Sequence, residues 1–193
     1  KLVNCDYKEY VIDDVLKDLP KLIWKFKAPK SNLWPYYNFK KVQELGADTT
    51  VSGEGGDELF GGYFFRYQNY LKYTPKTPEN RSARYLKLRG RDWIPNQNSI
   101  FGKSVKEMKY DFNSLSKFFV FPFRNKLPYI SQIFLADFNF KLRYDFNFVD
   151  SVFAKTEKVR LESPFLGTNI INFATHIPIN YKISKKTSKM ILR

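Results

Sequence analysis

A single cysteine among 193 residues excludes an internal disulfide. Long apolar runs are missing as well: none approaches the ~20 residues needed to span a bilayer. No charged start followed by an apolar core opens the chain as a secretory signal would. These absences point to a cytoplasmic protein with no membrane partner. There is one histidine, His176. Nothing pairs with it in the sequence, so it reads as a packed or surface side chain rather than a catalytic one. Internal repeats, coiled-coil heptads and low-complexity tracts are absent. Acids are outnumbered, 19 against 33 Lys and Arg, for a net charge of +14.

Aromatic residues are plentiful, at 18%, and supply much of the apolar area that a chain of this length needs for one domain with a sizeable core. The basic excess concentrates in residues 72–126, with thirteen Lys or Arg against four Asp or Glu. Tyr85, Trp93 and Phe101 lie in that stretch and could in principle stack on bases. The stretch reads as a solvated lysine-rich surface, and nucleic acid is not expected as a partner.

The most informative segment is 51–63, Val51-Ser52-Gly53-Glu54-Gly55-Gly56-Asp57-Glu58-Leu59-Phe60-Gly61-Gly62-Tyr63. Thr49, Thr50 and Val51 favour an extended, buried strand. The glycines that follow allow a sharp turn or the close approach of a phosphate or carboxylate. Asp57 and Glu58 stand where a helix would begin, an end that suits acids. The purely structural alternative is a tight strand-to-helix turn with capping acids. It is not a Walker A loop, because the lysine is missing, and the glycine spacing does not fit the dinucleotide fingerprint. Acids directed into such a loop suit a metal, an amine or proton transfer.

Residues 52–63 resemble the S-G-E-G-x-D-E-x-F-G-G-Y signature of the asparagine synthetase family, in its ATP-pyrophosphatase (synthetase) domain. Pro164-Phe165-Leu166, with Ile170, Phe173-Ala174 and Ile177-Pro178, is similar to the family's P-F-L-D segment and the helix after it. Lys182-Ile183 and Lys189-Met190-Ile191-Leu192-Arg193 are similar to its K-x-I-L-R element. The resemblance covers essentially the whole chain. It implies an α/β fold of the adenine-nucleotide alpha-hydrolase-like (ATP pyrophosphatase) type, with a parallel sheet and a predominantly helical share in this chain.

It also implies an ATP- and Mg2+-dependent ligase that converts aspartate to asparagine through β-aspartyl-AMP, with ammonia from glutamine. Glu54 matches the acid near the acyl-adenylate, and Asp57 matches a magnesium ligand. Ser52, Gly53, Gly55 and Gly56 would bind the nucleotide through backbone groups. Lys189 matches the lysine that stabilises the departing pyrophosphate, and Asp150 falls near positions that hold the amino acid. Relatives that amidate another carboxylate, or that have become non-catalytic nucleic-acid binders, are the alternatives. Glu54 argues against the β-lactam-forming branch, which carries tyrosine there.

Departures accompany the matches. The family's S-G-G-x-D-S ATP loop is not found, and the chain opens at Lys1, so it reads as an internal fragment that is inactive in isolation, with a glutaminase domain fused or separate. Cys5 is followed by Asp6 and does not match the glutaminase nucleophile. The family's acid-Glu-Pro turn is Lys27-Ala28-Pro29 here. In Arg160-Leu161-Glu162-Ser163-Pro164, glutamate stands where E-x-R-x-P has arginine, and Gly167 replaces the last acid of P-F-L-D.

The organisation expected is an α/β part over 1–71 with the signature loop, a basic connection over 72–128 and a helical part over 129–193. Val11, Ile12, Val15, Leu16 and Leu19 recur at helical spacing, and Leu22, Ile23 and Phe26 continue a second short helix. Residues 36–45 form a helix stopped by Gly46. A helix near 83–88 and another over 131–142 follow, with connecting structure elsewhere in 74–98.

Overall fold

The computed structural model describes residues 6–27, 33–89, 102–104, 112–184 and 186–193. Cys5, Ala28, Pro29, Trp93 and Phe101 lie outside them. The chain divides into two compact units, Lys1–Ser52 with Asp145–Glu162, and Gly53–Tyr144 with Ser163–Arg193.

In the first unit the periodic apolar residues at 11–18 do not form the expected helix. Asp14 explains why: its Oδ1 accepts the backbone N–H groups of Leu16 (2.8 Å) and Lys17 (3.2 Å). This local turn competes directly with helical hydrogen bonding. Val11 and Leu16 are left exposed, and the helix runs only over Leu19–Phe26, with Pro20 in its first turn. The helix expected at 36–45 occupies Trp34–Glu44 and ends at Gly46, whose φ of 76° lets its N–H return to the Gln43 carbonyl.

Strand Thr49–Val51 pairs in parallel with Arg160–Glu162, with Thr49 opposite Arg160 and Val51 opposite Glu162. The parallel arrangement agrees with the expectation, but the strand is not buried, since Val51 is 70% exposed. Among the described residues this sheet has two strands, and only the alternate residues Thr50 and Leu161 turn inward. Helix Ser151–Thr156 follows the π-helical Asp145–Asp150. It places Phe153, fully buried, 4.8 Å from the ring of Phe26 and 5.6 Å from that of Tyr36.

The second unit is helical. Pro78–Arg89 extends well beyond the expected 83–88 because Thr77 caps it, its Oγ1 accepting the Asn80 N–H at 3.2 Å, with Pro78 in the first position. The helix expected over 131–142 starts at Tyr129 and changes from α to π winding at Asp137–Leu142. Tyr67, Tyr70, Tyr85, Phe123 and Ile133 form the main core, joined by Phe134, whose ring lies 4.9 Å from that of Tyr67. A smaller cluster gathers Leu59, Phe60 and Ala174 with Phe138, Phe165 and Ile171.

Tyrosine dominates these cores, and its hydroxyls tie stability to alkaline pH. Burial pushes Tyr67, Tyr70 and Tyr85 above their ordinary 10.0, and Tyr37 and Tyr129 up to about 12. A folded value above the unfolded one gives stability that is fully present below pH 10 and lost as pH rises through the folded value. The expected result of an alkaline titration is that part of the phenolate absorbance of the thirteen tyrosines appears late, together with loss of helical circular dichroism. Ionisation of all of them near pH 10 with unchanged dichroism would contradict this packing.

Candidate functional site

The signature loop is shaped by what its glycines must admit. Ser52, at the end of the first unit's strand, donates its N–H to the Glu162 carbonyl at 2.8 Å. In the second unit, the Gly56 N–H returns to the Gly53 carbonyl at 3.2 Å, turning the chain through the half-buried Glu54. Gly55 adopts φ 90°, and a Cβ there would lie 2.5 Å from Leu166 Cδ2. The conformation therefore calls for glycine, and a side chain there would also have to displace Leu166. Phe165 lies against Gly56 and meets the Phe60 ring edge-on at 5.8 Å. The Pro164–Leu166 turn, the second of the matched segments, thus packs directly on the first.

Helix Gly56–Phe60 is ended by Gly61 at φ 81°, and the N–H groups of Gly61 and Gly62 both reach the Asp57 carbonyl at 2.9 Å. The Asp57 carboxylate meets the ammonium of Lys189, Oδ1 to Nζ 2.5 Å, with both side chains roughly two-fifths exposed. A side chain at Gly62 would collide with this pair, being directed at the Asp57 carboxylate and Lys189 Cε. Lys189 arrives from the loop closed by the Ile183–Ser188 bridge and itself has φ 53°, an unusual backbone for lysine. The third matched segment therefore also reaches the first.

Glu58, expected only as an acid at the start of the helix, is 2% exposed. It accepts hydrogen bonds from the Tyr63 hydroxyl at 2.5 Å and from Lys141 Nζ at 2.7 Å. Burial and the Glu58 charge push the Tyr63 hydroxyl well up, keeping it a donor. Arg66 stacks on the Tyr63 ring at 3.6 Å and approaches Asp137 at 3.7 Å. Fully buried Asp137 also accepts the Tyr85 hydroxyl at 2.8 Å and Arg89 at 3.3 Å. Burial pushes its carboxyl up, while the two guanidiniums and Tyr85 pull it down. An acid at the end of the apolar run Ile133-Phe134-Leu135-Ala136 was the available sequence signal for Asp137. Lys141, 83 residues from Glu58, left none.

Glu54, Gly55, Gly56, Asp57 and Lys189 thus share the second unit. Ser52 and Asp150 belong to the first, where Asp150 is buried in the π-helical segment. His176 is exposed, its Nδ1 2.7 Å from the Asn172 carbonyl of its own helix. Among the described residues no cluster of three or more His, Cys, Asp or Glu could hold a metal ion. A single carboxylate such as Asp57 is nevertheless a fitting donor for Mg2+, which binds through one or two carboxylates and completes its shell with phosphate and water.

The asparagine synthase family model matches residues 7–193. The chain belongs to the asparagine synthase family. It is 25% identical over 210 residues to asparagine synthetase [glutamine-hydrolyzing] 1 of Bacillus subtilis (strain 168), covering 94% of this chain and 33% of that protein. It is 24% identical over 209 residues to a putative asparagine synthetase [glutamine-hydrolyzing] of Mycobacterium tuberculosis (strain ATCC 25618 / H37Rv), covering 94% and 32%. The chain therefore spans about a third of the length of these relatives. No solved structure matches significantly. The mostly helical fold with its small parallel sheet is consistent with the α/β class expected. Among the described residues no helix is long and apolar enough to cross a membrane.

Proposed function

We propose that this asparagine synthase family chain forms part of an ATP-dependent, amide-forming synthetase site. Its substrate is the side-chain carboxylate of aspartate, activated as the acyl-adenylate and converted to asparagine by ammonia from glutamine. A glutaminase domain, fused or separate, supplies the ammonia, and the setting is cytoplasmic. The observation that carries the reading is the convergence of three distant matched segments on one loop, with Lys189 on Asp57 at 2.5 Å and Leu166 on Gly55.

Each residue then has a chemical task. Gly53, Gly55 and Gly56, with Ser52, present backbone groups to the nucleotide, while Leu166 and Phe165 cover the α-carbon faces of Gly55 and Gly56. Asp57 is the residue to hold Mg2+, which when bound would neutralise phosphate charge. Lys189 offers an ammonium to the departing pyrophosphate, and Asp57 holds that ammonium in place. Glu54, half-buried in the turn, takes a proton as the amine adds to the activated carboxyl. Glu58 is compensated by Lys141 and Tyr63 and serves to fix the loop.

Glu54→Gln in the full-length protein separates the two half-reactions. The expected outcome is amide formation slowed roughly a hundredfold or more, with aspartate-dependent exchange of pyrophosphate into ATP nearly intact. Equal loss of both would assign Glu54 to the nucleotide step.

One observation favours a second reading, amidation of a different carboxylate. Arg160 Nε pairs with Glu162 Oε1 at 2.8 Å, two residues apart on one face of their strand. The order of charges is the reverse of the family's E-x-R, so glutamate occupies the position from which arginine would act. Pyrophosphate exchange driven by another acid, and not by aspartate, would establish this alternative.

A further inference from the structure

A cavity of about 330 Å3 lies in the second unit, lined by both Tyr129–Ala136 and Thr168–His176. That volume is at the small end of ligand sites. Its apolar wall includes Phe134, Phe138 and Ile171, and its polar lining includes Ser131, Glu58 and Lys182. Lys182 is 6% exposed, and its Nζ stands 5.3 Å from the centroid of the Phe134 ring.

Two other basic side chains drawn into this unit, buried Arg66 and half-buried Lys141, are matched by acids. Arg66 approaches Asp137, and Lys141 reaches Glu58. For Lys182, no carboxylate among the described residues lies within ion-pair distance. Glu58 shares the cavity but already accepts from Lys141 and Tyr63. Burial draws the Lys182 amine below its ordinary value, as expected for a cation without a counter-charge. A largely buried lysine on the wall of a small, mainly apolar cavity is best completed by an anion that brings its own hydrocarbon.

We propose that this cavity binds a small monocarboxylate with an apolar body, its carboxylate on Lys182 and its hydrocarbon among Phe134, Phe138 and Ile171. Aspartate does not fit this description, because a second carboxylate and an ammonium would be brought to an apolar wall. The site stands on its own geometry and is independent of the synthetase reading.

The test is calorimetric titration of the full chain with 3-phenylpropionate and, separately, with 3-phenylpropanamide, its neutral counterpart. Saturable binding of the acid is expected, with the amide weaker by roughly tenfold or more because it cannot pair with the ammonium. Lys182→Met should weaken the acid to the level of the amide and leave the amide unchanged. Ile171→Trp, which fills the cavity at a half-buried position, should abolish both. If Lys182→Met fails to fold, the acid-to-amide ratio in the unaltered chain decides. No saturable binding, equal binding of acid and amide, or undiminished acid binding by a folded Lys182→Met or Ile171→Trp protein would overturn the proposal.

Discussion

Asp57→Asn in the full-length protein is expected to lower aspartate-dependent exchange of pyrophosphate into ATP by roughly a thousandfold or more. The substitution keeps the shape of the side chain and removes one charge. The local backbone should persist, because the N–H groups of Gly61 and Gly62 bond to the main-chain carbonyl of residue 57, not to its carboxylate. The ion pair with Lys189 is about two-fifths exposed on both sides, so its loss should alter stability by about 1 kcal/mol or less. Activity and stability therefore part company in this variant. Lys189→Met should also reduce exchange strongly, since the ammonium proposed to meet pyrophosphate is gone. Exchange at the original rate in a folded Asp57→Asn protein would remove Asp57 from the site and with it the main support for the proposed role of Lys189.

The second large effect concerns stability. Asp137→Ala should destabilise the fold by about 3–5 kcal/mol, measured by urea unfolding. Asp137 is fully buried, so solvation has been given up to place its carboxylate there, and burial pushes the carboxyl up. The variant does not recover that cost, because it strands Arg66 and Arg89 opposite an apolar methyl and leaves the buried Tyr85 hydroxyl without its acceptor. Arg89, 28% exposed along its side chain, can find some water, whereas Arg66 at 10% has little access. Asp137→Asn retains an acceptor for Tyr85 and should lie between the two. A loss below roughly 1 kcal/mol for Asp137→Ala would mean that the arginines were never held by this carboxylate.

What could be read from the sequence was whatever depended on neighbours along the chain. Thr49-Thr50-Val51 before glycines marked the strand, and Gly46 marked the end of its preceding helix. Where a side chain rewrites the local backbone, periodicity misled: Asp14 turns the chain where Val11, Val15 and Leu16 suggested a helix. Thr77-Pro78 carried a start signal that was passed over amid the surrounding prolines. In the site, Gly55 and Asp57 were legible because the signature compresses them into a few positions. Lys141 and Asp137 were not, since their importance arises only when the helix after Tyr129 folds against the loop and brings an ammonium to Glu58. The exposure of the strand was likewise non-local, since the sheet has two strands among the described residues.

The parallel pairing of Thr49–Val51 with Arg160–Glu162 has a consequence during synthesis. The second strand is translated about 110 residues after the first, a delay of roughly 5–20 s at cellular elongation rates. Over that interval Tyr36, Tyr37 and Phe39, which share a core with Phe153 and Val149 in the finished unit, have only earlier residues such as Leu22 and Leu33 to cover them. The newborn first unit thus keeps part of its aromatic surface uncovered until the distant half of its core leaves the ribosome.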